Sequence, residues 1–354
     1  MRVLKLSVAF IGIAMLVFIT PAVKAATPPV DNSFNLVTSP LPINLIGKPG
    51  TVVSTDIRVK NGSAKTEKLK VTLMKFSAYG EEGKPAIAER EPGDTYFDWV
   101  SFTPQTFDAP QNEWITIKMT INIPTSAAFG YYYAAVFSRA SAPERSSSKE
   151  NILVGSTAVL ALLDVQVPGA NRTAKIASFT SDRRFYEFLP AKFSIKIRNS
   201  GNVHLIPTGN VFISRGSKQL ASLTINSAAG NILPNSNRIF TTSWDDGFPV
   251  YKQKEANGQV VLNKKDKPVS GLEWDFSKLS HLKFGRYTAH LVMAYDNGSR
   301  DVPIEATVSF WVIPVRAILL AIAIPLVPSL LVYLLMKRRL KKQLNPNKFT
   351  VRKS

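Results

Sequence analysis

Three histidines, His204, His281 and His290, are the only imidazoles in this 354-residue chain, and cysteine is absent. No two of the histidines have the i, i+4 spacing that sets a pair of zinc ligands on one helix face. Without cysteine there is no thiol nucleophile, no thiolate metal site and no disulfide. A G-x-S-x-G nucleophile turn is missing, and Gly47-Lys48 and Gly83-Lys84 are each followed by proline where a phosphate loop needs Ser or Thr. Two S-x-x-K strings occur, Ser146–Lys149 and Ser280–Lys283. A Ser–Lys dyad needs a desolvated lysine beside the hydroxyl, and neither string has a partner motif. Asp245-Asp246-Gly247 offers carboxylates without the spacing of a calcium loop, so it reads as a turn. The expectation is a non-enzymatic protein with no cofactor and no metal.

Recognition chemistry falls to the aromatics. Tyr131, Tyr132 and Tyr133 lie on a strand pattern, so Tyr132 points opposite to its neighbours. Tyr131 and Tyr133, with Trp99 and Phe102 of the DWVSFTP segment, are the candidate ligand-binding residues, able to stack on a sugar or a peptide. Asn61-Gly62-Ser63, Asn171-Arg172-Thr173 and Asn297-Gly298-Ser299 fit a glycan acceptor, but Asn-Gly is also what a tight hairpin requires.

Elements that would position these residues are strands. Ile115, Ile117, Met119, Ile121 and Ile123 alternate with polar residues, as do Leu69, Val71 and Leu73, and Phe193, Ile195 and Ile197. Such strands bury one face and wet the other. Turn signals such as Asn61-Gly62, Pro92-Gly93 and Ser200-Gly201 separate them. A weak internal repeat accompanies the pattern: KPGTVVSTDIRVKNGS (48–63) is matched by LPAKFSIKIRNSG (189–201). Phe129-Gly130 with Tyr132, Ala134 and Val136 is matched by Phe284-Gly285 with Tyr287, Ala289 and Leu291. The expected class is all-β, two tandem Ig-like β-sandwich domains at 26–168 and 171–313, parted by the Pro168–Asn171 turn. SRASAPERSSSKEN (138–151) reads as a polar loop, and 246–270 as an insertion.

Both chain ends read as membrane signals. Residues 1–25 carry Arg2 and Lys5, then twelve apolar residues from Val8 to Ile19, then Val23-Lys24-Ala25, the plan of a signal peptide. Ala317 to Met336 (317–336) is twenty residues without a charge, about 30 Å as a transmembrane helix. The basic tail 337–354 holds eight cations and no acid. By the positive-inside rule that tail is cytoplasmic and the body extracellular. The net charge of +19 therefore needs no nucleic-acid partner: between the two ends, 33 basic groups face all 25 acids.

In these segments the chain resembles the WxL-interacting proteins of Gram-positive cell surfaces. KPGTVVSTDIRVKNGS, NIPTSAAFGYYYAAVFS (122–138) and FSIKIRNSGNVHLIPTGNVFI (193–213) carry the likeness, together with the signal and the membrane helix. The resemblance implies a first domain similar to the family's peptidoglycan-binding domain and a second that contacts another surface protein or host ligand. The expected function is a membrane-anchored surface adhesin or scaffold. Its partners are the membrane, and cell-wall polymer (peptidoglycan or an anionic polymer) or another surface protein. The alternative is a membrane-tethered assembly factor similar to pilus chaperones, donating or accepting a strand edge.

Overall fold

The period-two segments form strands because each one can bury a single face. In Trp114–Asn122, Ile117, Met119 and Ile121 are fully buried while Thr116 and Lys118 face solvent. The structure, a computed structural model, describes residues 34–141, 156–256 and 258–343. The signal segment 1–25, the Ser146–Lys149 string and the tail beyond Gln343 lie outside the described residues.

Among the described residues, ten strands build the N-terminal sandwich. In chain order the first five are β1 (Leu36–Ser39), β2 (Ile43–Gly47), β3 (Val52–Asn61), β4 (Glu67–Tyr79) and β5 (Lys84–Ala88). There follow β6 (Val100–Thr103), β7 (Thr106–Ala109), β8 (Trp114–Asn122), β9 (Gly130–Arg139) and β10 (Ser156–Val165). One sheet runs β1-β3-β8-β6 and the facing sheet β2-β10-β9-β4-β5, with β7 also on β4. β1 pairs antiparallel with β3, yet β2, four residues later, pairs parallel with β10 in the opposite sheet. Pro40 and Pro42 sit at the crossing; lacking N–H groups, they cannot extend either ladder.

The C-terminal sandwich holds β11 (Ala174–Ser181), β12 (Phe185–Tyr186), β13 (Ala191–Asn199), β14 (Thr208–Arg215), β15 (Lys218–Ile225) and β16 (Asn237–Trp244). Four short strands come next: β17 (Val250–Gln253), β18 (Glu255–Ala256), β19 (Gln259–Val260) and β20 (Ser270–Glu273). β21 (Gly285–Asp296) and β22 (Asp301–Val312) end it. Sheet β11-β13-β16 faces sheet β12-β22-β21-β14-β15, while β17-β20 and β18-β19 form two small ladders within the 246–270 stretch and just past it.

Each sandwich has its own core. Ile57, Leu69, Ile117, Met119, Tyr133 and Phe137 belong to the first; Phe193, Trp244, Tyr287, Leu291 and Phe310 to the second. A third apolar cluster lies on the outer face of the larger N-terminal sheet, where Phe76, Ile87, Val136 and Leu162 meet Leu233 of the other sandwich. This cover explains why Tyr133 to Phe137 are buried without alternation: strands covered on both faces lose the period-two pattern.

Two residues after β22, the helix α1 (Val315–Gln343) begins, with Pro325 and Pro328 inside it. Its Val315–Leu340 stretch is long and apolar enough to cross a membrane. The helix outruns the expected 317–336 span at both ends. The described residues thus form a β-sandwich protein with one C-terminal apolar helix.

Candidate functional site: a half-open strand edge beside an inter-sandwich cleft

The four aromatics expected to bind ligand come together, but mostly as packing. Tyr133 is fully buried and its hydroxyl donates to the Tyr96 carbonyl at 3.2 Å. Tyr131 packs edge-on against Trp99, with ring centroids 4.7 Å apart, and both lie against the first core. Phe102, on β6, also packs there. Tyr133 is therefore corrected from ligand platform to core residue: its parity on β9 turns it between the sheets, and burial raises its hydroxyl pKa far above normal. Tyr132, on the opposite face, is not open either. It sits beneath the C-terminal sandwich, its ring edge-on to His204 at 5.9 Å.

The internal repeat is real at the asparagines and slips by one residue at the tyrosines. Asn61 and Asn199 are fully buried and do the same work. Asn61 Nδ2 donates to the Lys65 and Ala109 carbonyls, and its Oδ1 accepts from Ser63 N–H. Asn199 Nδ2 donates to the Val203 and Ile232 carbonyls, and its Oδ1 accepts from Gly201 N–H. At the second match the inward residues are Tyr131, Tyr133, Ala135 and Phe137 against Tyr287, Ala289, Leu291 and Met293. Tyr131 and Tyr287 each accept a bond from the N–H three residues earlier, of Ala128 and Phe284. The sequence match through Tyr132 is thus out of register by one, which exchanges the two faces of a strand.

Ionic and hydrogen-bonded contacts fix the junction between the sandwiches. The tip of the β4–β5 hairpin reaches the edge of β16: the Glu81 carbonyl accepts from Ile239 N–H at 2.7 Å. Its carboxylate binds Lys196 Nζ at 2.7 Å and Asn237 Nδ2 at 2.9 Å. Those two partners hold the Glu81 pKa below its ordinary value. Arg172, in the connecting segment, pairs with Asp164 of β10. His204 is half-buried here, its Nδ1 without a hydrogen-bond partner, and its pKa is pushed down to about 4 by desolvation.

Beside this junction lies a cleft of about 510 Å³. Phe76, Ile87, Leu160 and Leu162 wall it on one side and Leu233 on the other. Arg238 supplies the charge. Its Nη1 donates to the Asn231 carbonyl at 2.7 Å, its guanidinium lies 5.3 Å from the Phe240 ring, and burial lowers its pKa. No carboxylate pairs with it among the described residues. Both side-chain polar atoms of Asn231 and the Oδ1 of Asn237 are buried there without a hydrogen-bond partner. A buried donor and buried acceptors left unpaired cost free energy, so this wall favours a ligand that satisfies them.

The cleft adjoins a strand edge that is only half used. β10 pairs with β9 along its whole length, from Ser156 to Asp164, but with β2 only from Ala161 to Val165. Val165 N–H points to Phe129 of the β9 side and Gln166 N–H to Gly47 at the end of β2. Alternation along the strand therefore turns the N–H and C=O groups of Ala158 and Leu160 outward. No described strand pairs with them on that side. Sequence reading missed this edge, because nothing in the apolar run of β10 marks where β2 stops.

Elsewhere, Asp246 binds His281 and Lys283, so Lys283 of the second S-x-x-K string is engaged by a carboxylate. His290 pairs with Glu305 at 3.0 Å.

No protein-family model matches the sequence, and no curated protein does. Solved structures do match in fold. One is a chain of the CsuC–CsuE chaperone–tip adhesion subunit pre-assembly complex of Acinetobacter baumannii, with 9% identity and a TM-score of 0.34, covering 77% of this chain and 97% of that one. Others are the Class 5 fimbriae chaperone CfaA and the Escherichia coli chaperone DraB. The first has 18% identity, TM-score 0.32 and coverage of 68% and 100%; the second has 11%, 0.31, and 77% and 96%. At these values the likeness describes the fold alone. The expectation of an adhesin or scaffold is corrected on the geometry: Tyr133 of its supposed platform is in the core, and Tyr131, Trp99 and Phe102 pack against it.

Proposed function

We propose that the chain is a membrane-tethered assembly factor that holds a partner protein by strand addition. An extended segment of the partner pairs with the free half of β10 while alternate side chains enter the cleft. The observation that carries this reading is the pairing of β10, complete on one side and confined to its second half on the other. The apolar wall suits aliphatic or aromatic side chains of the partner, and Arg238 with Asn231 offers polar groups to its backbone or an acidic residue.

The finer topology belongs to the same proposal. Residues 1–25 direct export, 26–168 and 171–313 are two tandem domains outside the membrane, and the basic end of α1 stays in the cytoplasm. No reaction is assigned to any residue. Kinship with the WxL-interacting proteins stays part of the proposal and rests on the segments quoted for it.

Purification of the full chain from its own membranes in mild detergent tests the reading, comparing the native chain with Ala158→Pro. Proline at this outward N–H removes a donor to the partner and leaves the β9 ladder intact. One protein is expected to co-purify with the native chain and to be lost from the variant, while the melting temperature stays the same. The same proteins recovered with both, or no protein with either, contradicts strand addition at this edge.

A further inference from the structure

The C-terminal sandwich ends in a patch of apolar side chains that no core claims. Phe185, Trp274, Phe276, Leu279, Phe284 and Trp311 are all exposed, Phe276 at 70%. They converge by register. Phe185 pairs with Trp311 and Tyr186 with Val312, while Gly285 faces Val312 from the other side, which sets Phe284 level with the end of β22. Phe248 gathers the remainder: its ring lies 5.8 Å from Trp274 and 5.5 Å from Phe276.

This same end carries the start of α1, and it does so without a linker. Ile313 N–H donates to the Tyr186 carbonyl at 2.8 Å. Arg316 meets the Glu187 carboxylate twice, through its backbone N–H at 3.2 Å and its Nε at 3.3 Å. The first turn of the helix is therefore fastened to the sandwich, and the end face lies at the depth where the helix enters the bilayer. Exposed Trp274 and Trp311 at that depth match the belt that tryptophan and tyrosine form at membrane interfaces, and the phenylalanines beside them add apolar area. Arg184, Arg215 and Arg286 are exposed around the patch and pair with no carboxylate among the described residues, a charge that suits anionic headgroups.

We propose that the Val312 end of the C-terminal sandwich is seated in the lipid headgroup layer, so that the body rests on the bilayer instead of hanging from it. The seat rests on the reading of α1 as a membrane span and is independent of strand addition at β10. It fixes which way the body faces, because the β21–β22 turn at Asn297–Arg300 is then a strand's length, about 35–40 Å, from the membrane.

The absence of cysteine makes the test direct. Four single-cysteine variants of the full chain, Phe276→Cys, Phe284→Cys, Ser299→Cys and Leu330→Cys, are labelled with bimane. Each is reconstituted into phosphatidylcholine–phosphatidylglycerol vesicles, with nitroxide-bearing lipids as quenchers. Labels at 276 and 284 are expected to lose most of their emission to a headgroup nitroxide. The label at 299 keeps its emission, and the one at 330 is quenched by a mid-chain nitroxide. Labels at 276 and 284 that behave like 299, with 330 still quenched, overturn the seat and leave the span standing. A label at 330 that no lipid quencher reaches refutes the span, and the seat with it.

Discussion

Asn61 and Asn199 show how much one side chain can hold. Each amide closes three backbone groups at the end of a strand, and each is fully buried. Replacing either with alanine strands two carbonyls and an N–H in the core. Asn61→Ala and Asn199→Ala should each cost about 2–4 kcal/mol in urea unfolding. Asp in their place keeps the acceptor, loses both donors and should rescue only in part. His204 gives a pH signature. Half-buried at the junction near Asp164 and Arg172, it stays neutral down to about 4, whereas in the unfolded chain it takes up its proton near 6.5. As pH falls from about 6.5 to 4 the unfolded state binds that proton first, so stability declines, by at most about 3 kcal/mol, and then levels off. His204→Gln should remove that part of the decline, seen as a smaller drop in melting temperature than the native chain shows over the same range. At this scale the sequence was legible as to where the strands end, at Asn61-Gly62 and Ser200-Gly201, but not as to why: Asn61-Gly62 is no tight hairpin, since β3 and β4 lie in different sheets. It misled where parity decides, as with Tyr131 to Tyr133. Their side chains are alike, and only the covering sandwich distinguishes the two faces of β9.

Strand identity was readable from alternation because most strands bury one face only. β3, β8 and β13 show it plainly. β9 and β10 do not, because their outer face carries a second apolar cluster under Leu233, a contact between segments far apart in sequence. The split of β1 and β2 between sheets was also hidden, since their register depends on partners more than a hundred residues away for β2. The β4–β5 hairpin offers a prediction at this scale. Gly83 has φ +76°, and a Cβ there would collide with the Arg238 guanidinium. Gly83→Ala strains the turn and pushes Arg238 out of the cleft. It should lower stability by about 1–2 kcal/mol and weaken partner capture, measured by urea unfolding and by the co-purification yield. Ala158→Pro should act oppositely, with stability within about 1 kcal/mol of native and capture lost.

Among the described residues there are two sandwich cores, a junction between them and one apolar helix joined to the second sandwich by two residues. The Glu81 contacts and the Asp164–Arg172 pair tie the cores together, so the cleft has a fixed wall on each side. Breaking the tie by Glu81→Ala should leave each core folded and increase proteolysis in the connecting segment around Pro168–Asn171. The apolar helix was plain from composition alone, because twenty uncharged residues have few other uses. The cleft was not, because it exists only once the two sandwiches meet. A photo-crosslinking residue placed at Leu160, beside the free edge of β10, and in parallel at Gln219, on the distant edge strand β15, tests the central claim in living cells. One dominant protein adduct is expected from position 160, abolished by Ala158→Pro, and none from 219. Equal adducts from both positions, or none from 160, would contradict it.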